Sequence, residues 1–103
     1  MAVTNTNILT IAGSTPISTS VFSQLVAATP INCTKMVLAN STDTDIQLSY
    51  GASGSEVGLV VVGTLETIVV DIGLNIIPAG TRLAVEAVGT ASTKGNFTAS
   101  LIP

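Results

Sequence analysis

The sequence predicts an all-β fold, either an antiparallel β-sandwich or a jelly-roll-like barrel, with a possible N-terminal arm. Three observations support this prediction. The 103 residues include fifteen Thr, twelve Val and ten Ile, which are β-branched residues that favour strands. Several segments alternate apolar and polar residues, and turn residues recur every 8 to 15 residues. This rhythm is typical of a sandwich or barrel rather than a parallel α/β fold.

The predicted strands divide into two types. Asp45–Tyr50, residues 82–88 and Asn96–Ile102 alternate at every second position, as strands with one buried face do. Residues 33–39, Val57–Val62 and residues 67–72 are nearly continuous in apolar residues, as in strands that are covered on both faces. Turn residues separate these segments at residues 40–44, 51–55, 63–64, 73–75, 78–80 and 89–95.

The N-terminal third is less regular. Residues 1–16 are predicted to be an N-terminal arm or edge strand, with Ile8–Ala12 as the strand, and residues 17–103 a single β-sandwich domain. Residues 17–28 are ambiguous. Ile17, Val21 and Leu25 have helical spacing, whereas Val21 and the Thr and Ser content favour a strand, which is the interpretation we prefer.

The surface is predicted to carry unusually little charge. Only 9% of the residues are charged, the net charge is -3 and the mean hydropathy is +0.68. Such a surface stays soluble when Ser, Thr and Asn cover it or when another subunit buries it. The apolar runs at residues 60–62 and 74–77 fit either core strands or an intersubunit surface. We therefore expect a closed homo-oligomer, with a trimer favoured.

Composition argues against several classes of function. The sequence has no His to act as a base or metal ligand, and Cys33 is its only thiol. Lys35, Arg82 and Lys94 are too few cations for sequence-independent nucleic-acid binding, and three aromatic residues offer little for stacking on bases or sugars. No cofactor is indicated. No apolar run reaches the roughly 18 residues of a membrane span, and the segment before Lys35 lacks the cations of a secretory leader.

Acidic residues supply the candidate sites, and each has a simpler interpretation. Asp43 and Asp45 flank Thr44, and oxygen ligands at alternate positions can bind a cation, but capping of turn amides is the better interpretation. The other carboxylates are scattered, without the aromatic residues that a glycosidase cleft needs, and we expect them to be solvated; they are Glu56, Glu66, Asp71 and Glu86.

Three further features are expected to have no chemical role. Cys33 has no His to activate it, so we expect a small buried hydrophobe. The loop at residues 51–58 resembles a phosphate cradle only in its glycine content, since it lacks the lysine and the following helix. Asn32, Asn40 and Asn96 begin N-glycosylation patterns, which we discount without a leader. No catalytic, cofactor-binding or metal-binding residue is assigned.

Two segments resemble small virion proteins of tailed bacteriophages, especially capsid decoration (cement) proteins, which are rich in Thr, Val and Ala. The first runs from Lys35-Met36-Val37-Leu38-Ala39-Asn40 into Asp45-Ile46-Gln47-Leu48-Ser49-Tyr50. The second is Ile77-Pro78-Ala79-Gly80-Thr81-Arg82-Leu83-Ala84-Val85, followed by a last hairpin. The resemblance implies a β-sandwich or jelly-roll-like fold, frequent trimerisation and binding to the outside of an icosahedral shell. It carries over no site residues.

The expected function is therefore that of a non-enzymatic virion protein that binds the outer shell and stabilises the head. Its partner would be the major capsid protein or another virion protein, in particles assembled in the bacterial cytoplasm. A fibre, tail or head-to-tail connector component is the alternative within this class. A carbohydrate-binding adhesive β-sandwich is disfavoured by the scarcity of aromatic residues, and an enzyme by the lack of a nucleophile-base pair.

Overall fold

The computed structural model describes residues 7–73 and 77–103, which form eight strands. The strands are β1 (Ile8–Ala12), β2 (Ser23–Val26), β3 (Lys35–Asn40), β4 (Asp45–Tyr50), β5 (Val57–Val62), β6 (Glu66–Asp71), β7 (Leu83–Val88) and β8 (Asn96–Ile102). In this part of the chain no helix is long and apolar enough to cross a membrane.

The strands form two four-stranded antiparallel sheets, ordered β1-β8-β3-β6 and β2-β7-β4-β5. The pairs β4·β5, β3·β6, β2·β7 and β1·β8 are nested around the β4–β5 connection, so the chain is a long ribbon folded over on itself. Two further pairs hold the folded ribbon together: β3 pairs with β8 in the first sheet, and β4 pairs with β7 in the second. This nesting is the order of an eight-stranded jelly roll. The all-β prediction is confirmed.

The core lies between the sheets and follows the predicted alternation. In β8, Phe97, Ala99 and Leu101 are buried, and the residues between them face outward. Strands β3, β4 and β7 contribute alternate residues to the same cluster and β5 contributes its last residue, while residues of β1, β2 and β6 are partly buried against it; the members from β3, β4, β5 and β7 include Met36, Leu38, Ile46, Leu48, Val62, Leu83, Val85 and Ala87. Aliphatic side chains from both sheets therefore make one continuous core.

Four predicted strands have different bounds in the structure. Those predicted at residues 67–72 and 82–88 differ by one residue, since β6 is Glu66–Asp71 and β7 is Leu83–Val88. The strand predicted at residues 33–39 begins at Lys35, because Cys33 instead forms an isolated bridge with Ile77, with amide-to-carbonyl distances of 2.8 and 3.0 Å. Within residues 17–28, only Ser23–Val26 is a strand. Ile17 is nonetheless fully buried, and its amide donates to the Ser92 hydroxyl over 2.8 Å.

Other sequence expectations concern residues 1–6 and 74–76, which lie outside the described residues. The first segment belongs to the predicted arm, and the second to the apolar run at residues 74–77. Ile77, which ends that run, is buried in the core. Ile8–Ala12 is a strand at the edge of the first sheet and pairs with β8.

Gly95 holds the chain entering β8 against the loop that follows β3. It adopts a φ of 80°, and a Cβ there would overlap the carbonyl oxygen of Ser41. Next to this approach, the Gly95 carbonyl accepts a hydrogen bond from the Gly13 amide at 2.7 Å, and Ser41 bonds to Asn96. Three loops are therefore held together at this end of the sandwich.

We expect Gly95→Ala to lower the free energy of unfolding by roughly 2 to 4 kcal/mol, since it combines backbone strain with overlap against a fixed carbonyl. Gly54→Ala is the control, because Gly54 has a similar φ of 88° and open space around it. It should cost only the strain, about 1 kcal/mol. Equal losses in urea unfolding would show that the close approach is unimportant.

Candidate functional site

The two carboxylates predicted at the β3–β4 turn point to different loops. Asp43 accepts hydrogen bonds from the amide, at 2.9 Å, and the hydroxyl of Thr93, while Asp45 accepts one from the Thr64 amide at 3.0 Å. Each carboxylate caps a backbone amide, as expected, but in a distant loop rather than its own turn. Within the described residues, no group of three or more Asp, Glu or Cys side chains could hold a metal ion.

The bonds from Thr93, first from its hydroxyl and then from its amide, lower the pKa of the Asp43 carboxyl from 3.8 to about 2. A depressed pKa means that the ionised form stabilises the fold above about pH 4, and that this contribution is lost as the pH falls to about 2. We expect the stability difference between the native chain and Asp43→Asn to shrink over this window in urea unfolding. A constant difference would contradict the role of the ionised carboxylate.

The remaining carboxylates do not converge on one site. Glu56 lies 3.0 Å from Arg82, the one ion pair in the described part of the chain. Its pKa is lowered, first by a hydrogen bond from its own amide and then by Arg82. Glu66 accepts from the Gly63 amide and Asp71 from the Gly73 amide, so they stabilise turns. Glu86 is half-buried on the outer side of the second sheet.

The loop at residues 51–58 is closed by its own side chains. The Gly54 amide donates to the Glu56 carboxylate at 2.9 Å, and the Gly51 amide donates to the Arg82 carbonyl at 3.0 Å. An acidic side chain therefore lies where a phosphate cradle would need free amides. Cys33 is buried, as predicted, and its thiol donates to the Lys35 carbonyl over 2.9 Å.

Asn40 is a buried residue at the end of β3 whose side chain makes several hydrogen bonds. Its side-chain amide donates to the carbonyls of Thr44 and Val62, both at 2.9 Å, and its side-chain oxygen accepts from the amide and hydroxyl of Thr42. The Thr64 hydroxyl in turn donates to the Thr42 carbonyl. Asn40 is only 2% exposed, so its glycosylation pattern is inaccessible in the folded chain.

The outer side of the first sheet carries two rows of short uncharged side chains, which we call the uncharged face. The rows, read across the sheet, are Ile8-Ser100-Val37-Val69 and Thr10-Thr98-Ala39-Thr67. The adjacent row on the same side of the sheet is charged, since Lys35 lies opposite Asp71 there. The outer side of the second sheet is more polar and carries Asp45, Gln47, Arg82 and Glu86. The two sides of the sandwich therefore differ in chemistry.

The turn between β5 and β6, residues 63–66, presents an exposed leucine. Leu65 is 84% exposed and has a φ of 61°, a conformation that costs a residue with a Cβ about 1 kcal/mol. Gly or Asn is the usual residue there. The turn is fixed by the Glu66 amide, which donates to the Gly63 carbonyl at 3.1 Å, and by the bonds from Thr64 to Asp45 and Thr42. We call this the Leu65 turn.

An apolar pocket of about 570 Å³, the end pocket, opens between the sheets at the opposite end of β5 and β6. Aliphatic and aromatic side chains make up most of its wall, and Asp71 and Thr81 are the polar members; the others are Tyr50, Leu59, Val70, Ile72, Ile77 and Pro78. It has the size of a binding site for a small ligand or a protruding side chain.

Sequence reasoning missed the Leu65 turn, the end pocket and the role of Asn40. Gly63-Thr64 signalled a turn, but nothing nearby in the sequence indicates that Leu65 adopts a left-handed conformation. The end pocket depends on the pairing of distant strands. Asn40 was assigned to a turn, and its burial requires the carbonyl of Val62, 22 residues away.

No family model matches the chain, and no curated protein and no solved structure matches it. The geometry of the eight-stranded jelly roll and its surfaces is therefore the basis for a functional proposal.

Two buried serines provide a test of the described hydrogen bonding. The Ser92 hydroxyl accepts from the Ile17 amide and donates to the Gly13 carbonyl over 2.7 Å, whereas the buried Ser49 hydroxyl has no partner among the described residues. We expect Ser92→Ala to cost about 2 to 4 kcal/mol, and Ser49→Ala to gain about 1 kcal/mol. Chemical denaturation measures both. Shifts of the same sign would contradict this assignment.

Proposed function

We propose that the chain is a non-enzymatic structural protein of a bacteriophage particle, a decoration protein that binds the outer shell and stabilises the head. The observation that carries the proposal is the uncharged face, an array of β-branched and small side chains without a charge in its two rows. Jelly rolls are common in viral capsid proteins, which supports the same class. The partner is the major capsid protein of the shell.

The uncharged face suits binding to a protein surface rather than chemistry. Val69 is 65% exposed and Ile8 is 47% exposed, so apolar area is available for burial. Burial of apolar area contributes about 25 cal/mol per Å², and hydroxyl groups such as those of Thr10 and Thr67 can bond to a partner at little desolvation cost compared with charges. A surface of this type favours close contact with another protein.

The size of the face indicates attachment by several copies. Four strands about 4.8 Å apart and about five residues of 3.3 Å each span roughly 300 Å². A stable interface buries about 800 Å² on each partner. One copy of the face falls well short of this area, whereas three copies in a closed oligomer provide roughly 900 Å². The proposal therefore includes a homo-oligomer, with a trimer favoured, that binds the shell through repeated faces.

A charge placed on the uncharged face should prevent attachment. We expect Val69→Lys to reduce occupancy on particles of the phage that encodes the chain, with an apparent affinity at least about tenfold lower. Val21→Lys is the control, since Val21 is also 65% exposed but lies outside both sheets. Equal occupancy of the two variants, measured by gel densitometry of purified particles, would refute the assigned face.

Attachment through apolar area and hydroxyl groups should also be insensitive to salt. We expect occupancy of the native chain to change less than about threefold between physiological salt and 1 M sodium chloride, because screening acts on charges. Denaturant should release the protein. If 1 M salt alone strips it from the particles, the interface depends on charges that this face does not carry.

A further inference from the structure

We propose that Leu65 is the anchor by which one copy of the chain binds another, with the Leu65 turn of one copy seated in the end pocket of the next. The inference rests on the proposed function only in requiring a homo-oligomer, and it assigns the surfaces that form it. Shell binding is assigned to a different surface, the uncharged face.

The Leu65 turn exposes an apolar side chain that is left unburied in the isolated chain. An exposed leucine in a left-handed conformation gives the isolated fold no core contact and strains its backbone. The turn is nevertheless fixed by bonds to Glu66, Asp45 and Thr42 from three directions. An exposed apolar side chain on a backbone that is already fixed loses only its own rotamer freedom when it binds, so it is suited to insertion into an apolar pocket.

The end pocket has the size and the apolar lining to receive the turn. Its wall is mostly apolar, with Leu59, Val70 and Ile72 at half-buried positions beside the core. Its volume of about 570 Å³ exceeds that of one leucine side chain and has room for the tip of the turn. Pro78 and Thr81 lie in its wall, where a residue of the incoming turn can contact them.

Charge favours this pairing over contact between two identical turns. Asp43, Asp45 and Glu66 lie at the turn end of the sandwich with Lys94, which gives a net charge of -2 there. At the pocket end, Lys35 lies opposite Asp71, which is part of the pocket wall, and Arg82 pairs with Glu56. Two turn ends in contact would bring six carboxylates together, whereas a turn end against a pocket end meets a surface whose two carboxylates are balanced by two cations.

Strands β5 and β6 are edge strands of the two sheets and are joined by the Leu65 turn. The turn and the end pocket lie at opposite ends of these strands, about 20 Å apart for strands of six residues. A contact between them is therefore head to tail, and such contacts form a ring when the rotation between copies closes after a whole number of copies, and an open filament when it does not. If the strands run around the circumference of the ring, the uncharged faces of all copies can lie on the same side of the ring, where they can contact the shell together.

The first test removes the anchor without straining the fold. Leu65→Asn suits the left-handed backbone, so the variant should be at least as stable as the native chain when both are unfolded at a dilution that dissociates the native oligomer. We expect it to sediment as a monomer, with self-association weakened at least about tenfold. Val21→Asn, which replaces another exposed apolar side chain by the same residue, should leave the oligomer intact. An oligomer of native size in Leu65→Asn, or a native chain that is itself monomeric, would overturn the proposal.

The second test blocks the pocket. Pro78→Glu places a carboxylate in the pocket wall against the acidic turn end, and Pro78→Gln is its neutral control. We expect Pro78→Glu to weaken self-association more than Pro78→Gln. Mixing Leu65→Asn with Pro78→Glu should then yield a one-to-one dimer, because one intact turn meets one intact pocket. A mixture that remains monomeric would overturn the pairing, whereas shell occupancy of Val69→Lys tests the proposed function separately.

Discussion

The buried amide of Asn40 is the interaction on which the arrangement of this jelly roll depends. It links the end of β3, in one sheet, to the carbonyl of Val62 at the end of β5, in the other. It also holds Thr42 and Thr44, so the β3–β4 turn cannot separate from the sandwich. Because a buried amide without partners would cost several kcal/mol, this network favours one arrangement of the loops. The Leu65 turn is attached to it through Thr64.

The sequence was sufficient to predict strands where alternation is strong. β4 and β8 have the predicted bounds, because each places apolar residues on one side only. Prediction was weaker where a partner distant in sequence sets the structure. Cys33 lies outside β3 because it bridges to Ile77, and Ile17 is buried without a strand because Ser92 satisfies its amide. Pairing between arms of the ribbon is not encoded in any single segment.

Pairing between strands distant in sequence also limited what could be predicted about the surfaces. The scarcity of charge pointed to an interface, but only the register of β1, β8, β3 and β6 shows that Ile8, Val37 and Val69 share a row. Asp43 and Asp45 cap backbone amides, but not in their own turn as the sequence predicted, because their partners, Thr93 and Thr64, lie 50 and 19 residues away. Leu65 has no local signal, since two of the bonds that fix its turn join Thr64 to Asp45 and Thr42, which lie outside the turn.

Together, the fold and its surfaces suggest a subunit whose polar second sheet faces water while its uncharged face and Leu65 turn contact other proteins. The most direct test of this account is the native mass of the unmodified chain at micromolar concentration. The account predicts a closed oligomer, with three times the chain mass favoured, that persists in 1 M salt because apolar contacts are not screened. A chain that remains monomeric throughout that range would contradict it.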